Sequence, residues 1–169
     1  MAFRFFSSFS WRHFLFSAGC GAIGLVMGFG LGIYTLPILT AEEGLSGSAI
    51  AALAQSAGDD TRTGQFVRDL PDSDAFHWGD GTIYVSAERI WLDGTLAPGP
   101  DYRLYLTPEF IDTEEGFLAV KSQSAQIAPI KAFSNFSADV PASISVADYK
   151  GVLVWCERFG QFITSAEIR

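Results

Sequence analysis

The hydrophobic pattern of the chain changes once, from one continuous apolar run to short alternating segments. The run extends from Phe14 to Leu39, "FLFSAGCGAIGLVMGFGLGIYTLPIL", and its 26 residues include no Asp, Glu, Lys or Arg. As a helix it would be about 39 Å long, which exceeds the roughly 30 Å of a bilayer's hydrocarbon core. The pattern therefore predicts one transmembrane helix at residues 14–39, preceded by a short flank at residues 1–13.

Small residues dominate the next segment, residues 40–63. Its middle, Ser48–Ala57, predicts a short helix capped by Ser46 or Ser48. The apolar positions of this helix are mostly alanine, so it would bury little surface. We interpret residues 40–63 as a spacer that leads to a globular domain at residues 64–169.

From residue 65 onward, apolar and polar residues alternate in short segments. In "GTIYVSAERIWLDG", the apolar positions Ile83, Val85, Ile90 and Leu92 predict two strands joined by a tight turn. Further strands are predicted in "DYRLYLTP", "FLAVKS", "QIAPIKAF", "FSADVP" and residues 161–168. Pro129 restricts its strand to a sheet edge or a bulge. Because no long helical pattern intervenes, we predict an all-β domain, either an antiparallel β-sandwich or a barrel-like fold.

The stretch "GVLVWC", Gly151–Cys156, has no polar face. A strand that is apolar on both sides lies in the middle of a fold, covered above and below. With a period of two, Cys156 shares a face with Val152 and Val154, and Trp155 points to the opposite side with Leu153.

Charge is distributed unevenly along the chain. Arg4 and Arg12 precede the apolar run, and all 19 acidic residues and the other nine basic residues follow it, which gives the region beyond Thr40 a net charge of −10. The positive-inside rule then predicts a single-pass protein of the inner (cell) membrane, with a cytoplasmic N-terminus and a periplasmic, or otherwise extracytoplasmic, C-terminal domain. So acidic a domain repels nucleic acid, and nucleic-acid binding is excluded.

The apolar run is too long for an ordinary cleaved signal peptide, and retention in the membrane is favoured over cleavage. A lipoprotein signal ending at Cys20 is a minor alternative. Gly24, Gly28 and Gly32 recur every four residues and leave one helix face nearly smooth. That face predicts either self-association or docking to another membrane helix, because small residues let two helices approach closely. Glycine is also common in membrane helices generally, so both interpretations stay open.

Few residues of the domain carry reactive chemistry. The sequence has no nucleophile elbow, no phosphate-binding glycine loop, no CxxC motif and no histidine pair at metal spacing. A conventional enzyme is therefore not favoured, although the sequence does not decide the question, and no metal site is predicted. His77 is the domain's one imidazole and lies before a predicted turn, where it either presents a ligand or donates a hydrogen bond to a turn carbonyl.

Cys156 is the one thiol of the domain, so an internal disulfide is impossible there. Two interpretations remain open for it. It is either an inert side chain that packs in the core or a reactive thiol. The period of two places Arg158 on the same face, where a guanidinium would lower the pKa of the thiol. If only Val152, Val154 and their cross-strand neighbours surround Cys156, its pKa is raised instead and the thiol is inert.

The ordered motifs of residues 64–168 resemble the DM-thirteen domain family. The resemblance rests on Phe66, on His77 before Gly81-Thr82, on "GPDYRLYLTP" at Gly99–Pro108, and on "VLVWCERFGQFITSA" at Val152–Ala166. It implies a small extracytoplasmic β-rich module that takes part in electron transfer.

In that family the cysteine after the tryptophan is viewed as the redox atom, as a free thiol or as a haem ligand, and Cys156 occupies this position. The resemblance thus implies a redox role for Cys156, a cofactor site at Cys156 and His77 that would hold haem, and a membrane redox protein or cytochrome as partner. We expect a membrane-anchored extracytoplasmic electron-transfer protein. The alternative is a non-catalytic interaction or structural module in which Cys156 is inert.

Overall fold

The computed structural model of the chain describes residues 10–169, so Arg4 and most of the predicted cytoplasmic flank lie outside the described residues. The chain divides into two compact units, residues 1–36 and 37–169. The first long element is helix α1, Trp11–Leu39, which begins three residues before the predicted span and ends with it. By length and composition α1 is apolar enough to cross a membrane, and it is the one such helix among residues 10–169.

The second unit contains eight strands and two short α-helices. In chain order, the elements are α2 (Gly47–Ser56), β1 (Arg62–Phe66), β2 (Gly79–Val85), β3 (Arg89–Leu96), β4 (Tyr102–Thr107), α3 (Glu114–Val120), β5 (Ala125–Ile130), β6 (Ser137–Asp139), β7 (Gly151–Cys156) and β8 (Gln161–Glu167). Single 3₁₀ turns follow α3 at Lys121–Gln123 and precede β7 at Val146–Asp148.

The strands form two four-stranded antiparallel sheets. Their orders are β1-β2-β3-β6 and β5-β4-β7-β8. Backbone hydrogen bonds between Thr63 and Arg169 join the edge of the first sheet to the end of β8, at 2.9 and 3.0 Å. The domain is therefore two antiparallel sheets connected at one corner. This confirms the all-β prediction and decides against a closed barrel.

One hydrophobic core is shared by the two sheets. Ile83 and Leu92 of the first sheet and Leu104 and Val154 of the second belong to it, and all four are fully buried. Alternation along β2, β3 and β4 directs these side chains inward, as the period of two predicts. The hairpin of β2 and β3 and the edge position of the Pro129 strand are also confirmed.

All six residues of β7 are buried, as predicted. Val152, Val154 and Cys156 pack into the core between the sheets. Leu153 and Trp155 pack into a second cluster on the other face of the sheet. The opposite orientation of Cys156 and Trp155 is thereby confirmed.

The prediction of a strand in "FLAVKS" is wrong. Phe117 to Val120 belong to α3, and Lys121 begins the 3₁₀ turn. Thr113 caps this helix, because its hydroxyl accepts a hydrogen bond from the Gly116 N–H at 3.2 Å. Two glutamates in the first turn favour a helix N-terminus, and α3 buries Phe117 against the outer face of the second sheet.

Part of the predicted spacer is hydrogen-bonded to the β-domain. The Glu42 N–H donates to the Lys131 carbonyl at 3.0 Å, and the Leu45 N–H donates to the Asn135 carbonyl at 2.8 Å. The predicted short helix exists as α2, capped by Ser46. Only Ile50 of α2 is buried, as expected for an alanine-rich helix.

Candidate functional site

Cys156 is the last residue of β7 and lies at one end of the core. It is paired with Tyr102 of β4 on one side and with Gln161 of β8 on the other. The residue is 2% exposed, and its Sγ–H donates to the Pro100 carbonyl at 2.9 Å. The thiol thus lies where the core meets the loop between β3 and β4.

The loop Ala97–Asp101 closes over the thiol because its residues fit that position. A Cβ at Gly99 would lie 2.3 Å from the Tyr102 hydroxyl, so only glycine leaves room for this ring. Asp101 adopts a φ of 57°, a left-handed conformation that aspartate tolerates better than most residues. Its carbonyl accepts a hydrogen bond from the Glu157 N–H at 3.1 Å. The loop is therefore hydrogen-bonded both to the thiol and to the residue that follows it.

Burial raises the pKa of the Cys156 thiol above its ordinary value. Backbone N–H groups of Phe159 and Arg158 oppose this shift, and the carboxylates of Asp101 and Glu157 add to it. The sequence argument that the Arg158 guanidinium lowers this pKa is wrong. β7 ends at Cys156 and residues 157–160 form a turn, so the alternation of faces does not reach Arg158. At neutral pH Cys156 is a protonated thiol.

His77 binds a carboxylate and not the turn carbonyl considered from the sequence. Its Nδ1 lies 2.9 Å from Asp74 Oδ2, and its backbone N–H donates to Asp74 Oδ1 at 2.8 Å. Partial burial raises the pKa of the Asp74 carboxyl, but the hydrogen bonds from His77 and from the Phe76 N–H outweigh it and leave this pKa below its usual value.

His77 and Cys156 lie at the same end of the domain. The next residue after His77, Trp78, accepts a hydrogen bond from the Ala97 N–H at 2.9 Å, and Pro100 accepts the thiol proton. Cys156 is therefore bonded to the loop Ala97–Asp101 directly, and the chain next to His77 is bonded to it through Trp78. Among the hydrogen bonds of residues 10–169, none joins the two side chains.

A cavity of about 530 Å³ opens beside His77. Its polar lining is mainly acidic and comprises Asp72, Asp74, Glu114, Glu115 and Gln161. Within the described part of the chain, no three His, Cys, Asp or Glu side chains converge as metal ligands. The Asp72 carboxylate instead accepts the Glu114 N–H at 2.6 Å, which helps to fix the start of α3.

Haem does not fit the closed conformation at Cys156. Its sulfur is occupied by the hydrogen bond to Pro100, and the residue has almost no exposed surface. A macrocycle would reach Sγ only after the loop Ala97–Asp101 moved. In this conformation Asp74 Oδ2 holds His77 Nδ1 at 2.9 Å, so a ligand bond from this residue would use Nε2.

The sequence reasoning missed a group of polar side chains, Tyr105, Lys121 and Glu157, at the edge of the apolar cluster on the outer face of the second sheet. The Tyr105 hydroxyl donates to Glu157 Oε1 at 2.5 Å, and Lys121 Nζ donates to Glu157 Oε2 at 2.8 Å. The Phe117 ring contacts both Tyr105 and Trp155. The period of two in β4 was the available signal, since it places Tyr105 opposite the core-facing Leu104.

The glycines of α1 leave their helix face open. A Cβ at Gly24, Gly28 or Gly32 would meet no atom within 4 Å. Cys20 is exposed on α1. Association through this face stays a prediction.

Comparison with known proteins identifies a family. A family model described as electron transfer DM13 matches residues 66–168, which is more than half of the chain. The chain belongs to the DM13 family. Neither a curated protein nor a solved structure matches it. The DM13 resemblance seen in the sequence is thus confirmed, and the structure explains its motifs. "GPDYRLYLTP" and "VLVWCERF" meet at Cys156, because Pro100 accepts the thiol proton and Tyr102 pairs with the cysteine.

Proposed function

We propose that this protein is a membrane-anchored electron-transfer module in which Cys156 is the redox atom. The membership of residues 66–168 in the electron transfer DM13 family carries the proposal. The position of Cys156 supports it, since the two most specific family motifs converge on this thiol. The partner is a membrane redox protein or cytochrome, and His77 lines the acidic cavity at the same end of the domain.

Helix α1 is the anchor in this proposal. It is long and apolar enough to cross a bilayer, and Arg12 is the charged residue of its first turn. The acidic domain lies on the periplasmic side of the inner membrane. A net charge of −10 beyond Thr40 favours a partner with a basic contact surface.

Redox chemistry at Cys156 is gated by the loop Ala97–Asp101. The thiol is protonated and covered in the closed state, and exchange with a partner needs an opening that frees Sγ from Pro100. Local openings of this kind cost less than global unfolding and are typical of loops with few buried apolar contacts.

A second candidate is a non-catalytic membrane-anchored interaction or structural module. One observation favours it: burial raises the pKa of Cys156, which is the environment of an inert thiol. The two candidates differ in whether Cys156 reacts while the domain is folded.

The deciding experiment uses the full chain in detergent micelles with Cys20 replaced by alanine, so that Cys156 is the one remaining thiol. Protein-film voltammetry and native-state alkylation are compared for this protein and its Cys156→Ser variant. We expect a redox wave that depends on Cys156, and slow alkylation of the thiol without denaturant. A voltammogram unchanged by Cys156→Ser, with alkylation only after denaturation, would refute the redox role and support the structural module.

The anchor has its own test. Carbonate extraction of membranes should leave the full-length protein in the pellet, and protease added to spheroplasts should digest the β-domain. Release into the soluble fraction would contradict a retained span, and protection of the domain would contradict its periplasmic location.

A further inference from the structure

The cluster of Tyr105, Lys121 and Glu157 joins three elements on the outer face of the second sheet. Tyr105 comes from β4, Lys121 follows α3, and Glu157 follows β7. The Tyr105 residue is 5% exposed, whereas the side chains of Lys121 and Glu157 are partly exposed. A buried phenol is thus connected to the surface by its hydrogen-bond partner.

The phenol and the carboxylate are arranged for proton transfer. Tyr105 Oη lies 2.5 Å from Glu157 Oε1 and 2.9 Å from the side-chain oxygen of Gln126. A phenol has one proton, and an ionised carboxylate is a stronger acceptor than an amide, so the proton points to Glu157. The Gln126 side-chain oxygen is the alternative acceptor for the same proton, at the longer distance.

Glu157 is kept ionised and therefore ready to accept a proton. Partial burial raises the pKa of Glu157, but hydrogen bonds from Lys121 and Tyr105 outweigh it, and the net shift is downward. The same hydrogen bond, together with burial as the larger cause, raises the pKa of Tyr105. Tyr105 is therefore a neutral phenol beside an ionised carboxylate at neutral pH.

Aromatic rings continue from Tyr105 to Trp155 on the outer face of the second sheet, opposite the face that carries the Cys156 thiol. The Tyr105 and Phe117 centroids are 5.0 Å apart, and the Phe117 and Trp155 centroids are 4.9 Å apart. Trp155 directly precedes Cys156 in β7. A one-electron-active phenol thus lies two ring contacts from the residue next to the family's thiol.

We propose that Tyr105 and Glu157 form a proton-coupled one-electron relay, an inference that rests on the proposed electron-transfer function. An oxidant of the high-valent metal class takes one electron from the Tyr105 ring. The O–H bond breaks, and its proton passes to Glu157 Oε1, which leaves a neutral phenoxyl radical and a carboxylic acid. A reductant of the quinol class then gives up one electron and releases one of its own protons to solvent, which leaves a semiquinone; that electron and the proton held on Glu157 restore the phenol. Lys121 holds the carboxylate in place throughout.

The test is flash oxidation of the full chain in detergent micelles by a photogenerated ruthenium(III) polypyridyl complex. Phenoxyl radical is followed by transient absorption and by electron paramagnetic resonance of samples with ring-deuterated tyrosine. We expect a radical whose formation is slowed in D₂O. Tyr105→Phe, which keeps the ring contact with Phe117, should remove most of the signal. Glu157→Gln should slow its formation about 100-fold or more, since a positioned proton acceptor typically contributes about 10²- to 10⁴-fold.

Tyr84→Phe is the matched control, because Tyr84 stacks on Trp91 in the other sheet and should leave the radical yield unchanged. Glu157→Asp is a second variant in case Glu157→Gln does not fold; it shortens the acceptor and should also slow the reaction. Circular dichroism checks folding of each variant. A radical yield unaffected by Tyr105→Phe, or a rate unaffected by a folded Glu157 variant, would overturn the relay.

Running the same flash experiment on Cys156→Ser separates the relay from the proposed function. A Tyr105 radical that persists in Cys156→Ser, together with a voltammogram that this substitution leaves unchanged, removes the redox role of Cys156 and supports the relay. A Cys156-dependent wave without a Tyr105 radical overturns the relay and leaves the role of Cys156 intact.

Discussion

Gly99→Ala should open the site at Cys156. The new Cβ would lie 2.3 Å from the Tyr102 hydroxyl and 2.6 Å from the ring carbon that bears it, closer than real Cβ atoms approach other heavy atoms. Tyr102 is 2% exposed and pairs with Cys156, so its ring cannot move without moving the core or the loop. Overpacking of this kind costs about 1–3 kcal/mol.

If opening of the loop Ala97–Asp101 relieves the strain, the substitution destabilises the closed state relative to the open state by this amount. Since 1.4 kcal/mol is a factor of ten, native-state alkylation of Cys156 should accelerate about 5- to 150-fold. The assay is iodoacetamide labelling of the full chain in a Cys20→Ala background, read by mass spectrometry, with urea unfolding followed by tryptophan fluorescence. Labelling should rise at urea concentrations well below the unfolding transition.

Gly47→Ala is the matched control. This glycine begins α2, and a Cβ there meets no atom within 4 Å, so labelling should not accelerate and stability should not fall. Unchanged labelling and unchanged stability in Gly99→Ala would refute the idea that the loop packs tightly over the thiol. A large loss of stability with no labelling below the transition would show that the strain is borne by the whole core instead.

Three further changes test other parts of the structure. Because the folded-state pKa of Glu157 is depressed, its stabilising effect is complete above the unfolded pKa and is lost as pH falls through the folded value. In urea unfolding, the free energy of unfolding of Glu157→Gln should therefore be about 1 kcal/mol lower than that of the parent protein at neutral pH, a figure that allows for solvent screening. The difference should disappear in acid. A difference that does not depend on pH would contradict the ion pair. Thr113→Ala removes the cap of α3 and should cost about 1 kcal/mol in the same assay, with Thr113→Ser as a neutral control. Phe117→Ala empties a fully buried site and should cost about 3–5 kcal/mol; a loss below 1 kcal/mol would mean that α3 does not hold the second cluster together.

The strands were predictable where burial alone decides the pattern. β7 has an apolar residue at every position after Gly151 and is covered on both faces. Helix α3 was misassigned because Phe117 to Val120 form a short apolar run, which periodicity alone cannot separate from a buried strand. Its start signal, Thr113 followed by two glutamates, was present in the sequence and determines the local structure.

The site was predictable in its identity but not in its surroundings. Cys156 could be selected as the domain's one thiol, yet its acceptor Pro100 lies 56 residues away in the chain. The register of β4 against β7 brings the two together, and composition does not encode register. The same register explains why the pair of Tyr105 and Glu157, 52 residues apart, could not be seen in advance.

The edge strands of the two sheets determine whether neighbouring copies of the protein can associate by strand pairing. Within residues 10–169, β1 and the end of β8 are bonded to each other, which leaves β5 and β6 as the outer strands. β6 has three residues, and β5 contains Pro129 and pairs irregularly with β4. Such edges offer a poor template for adding a foreign strand. Many copies crowded together would therefore resist joining into continuous sheets, and encounters with other proteins would depend on side chains and not on strand addition.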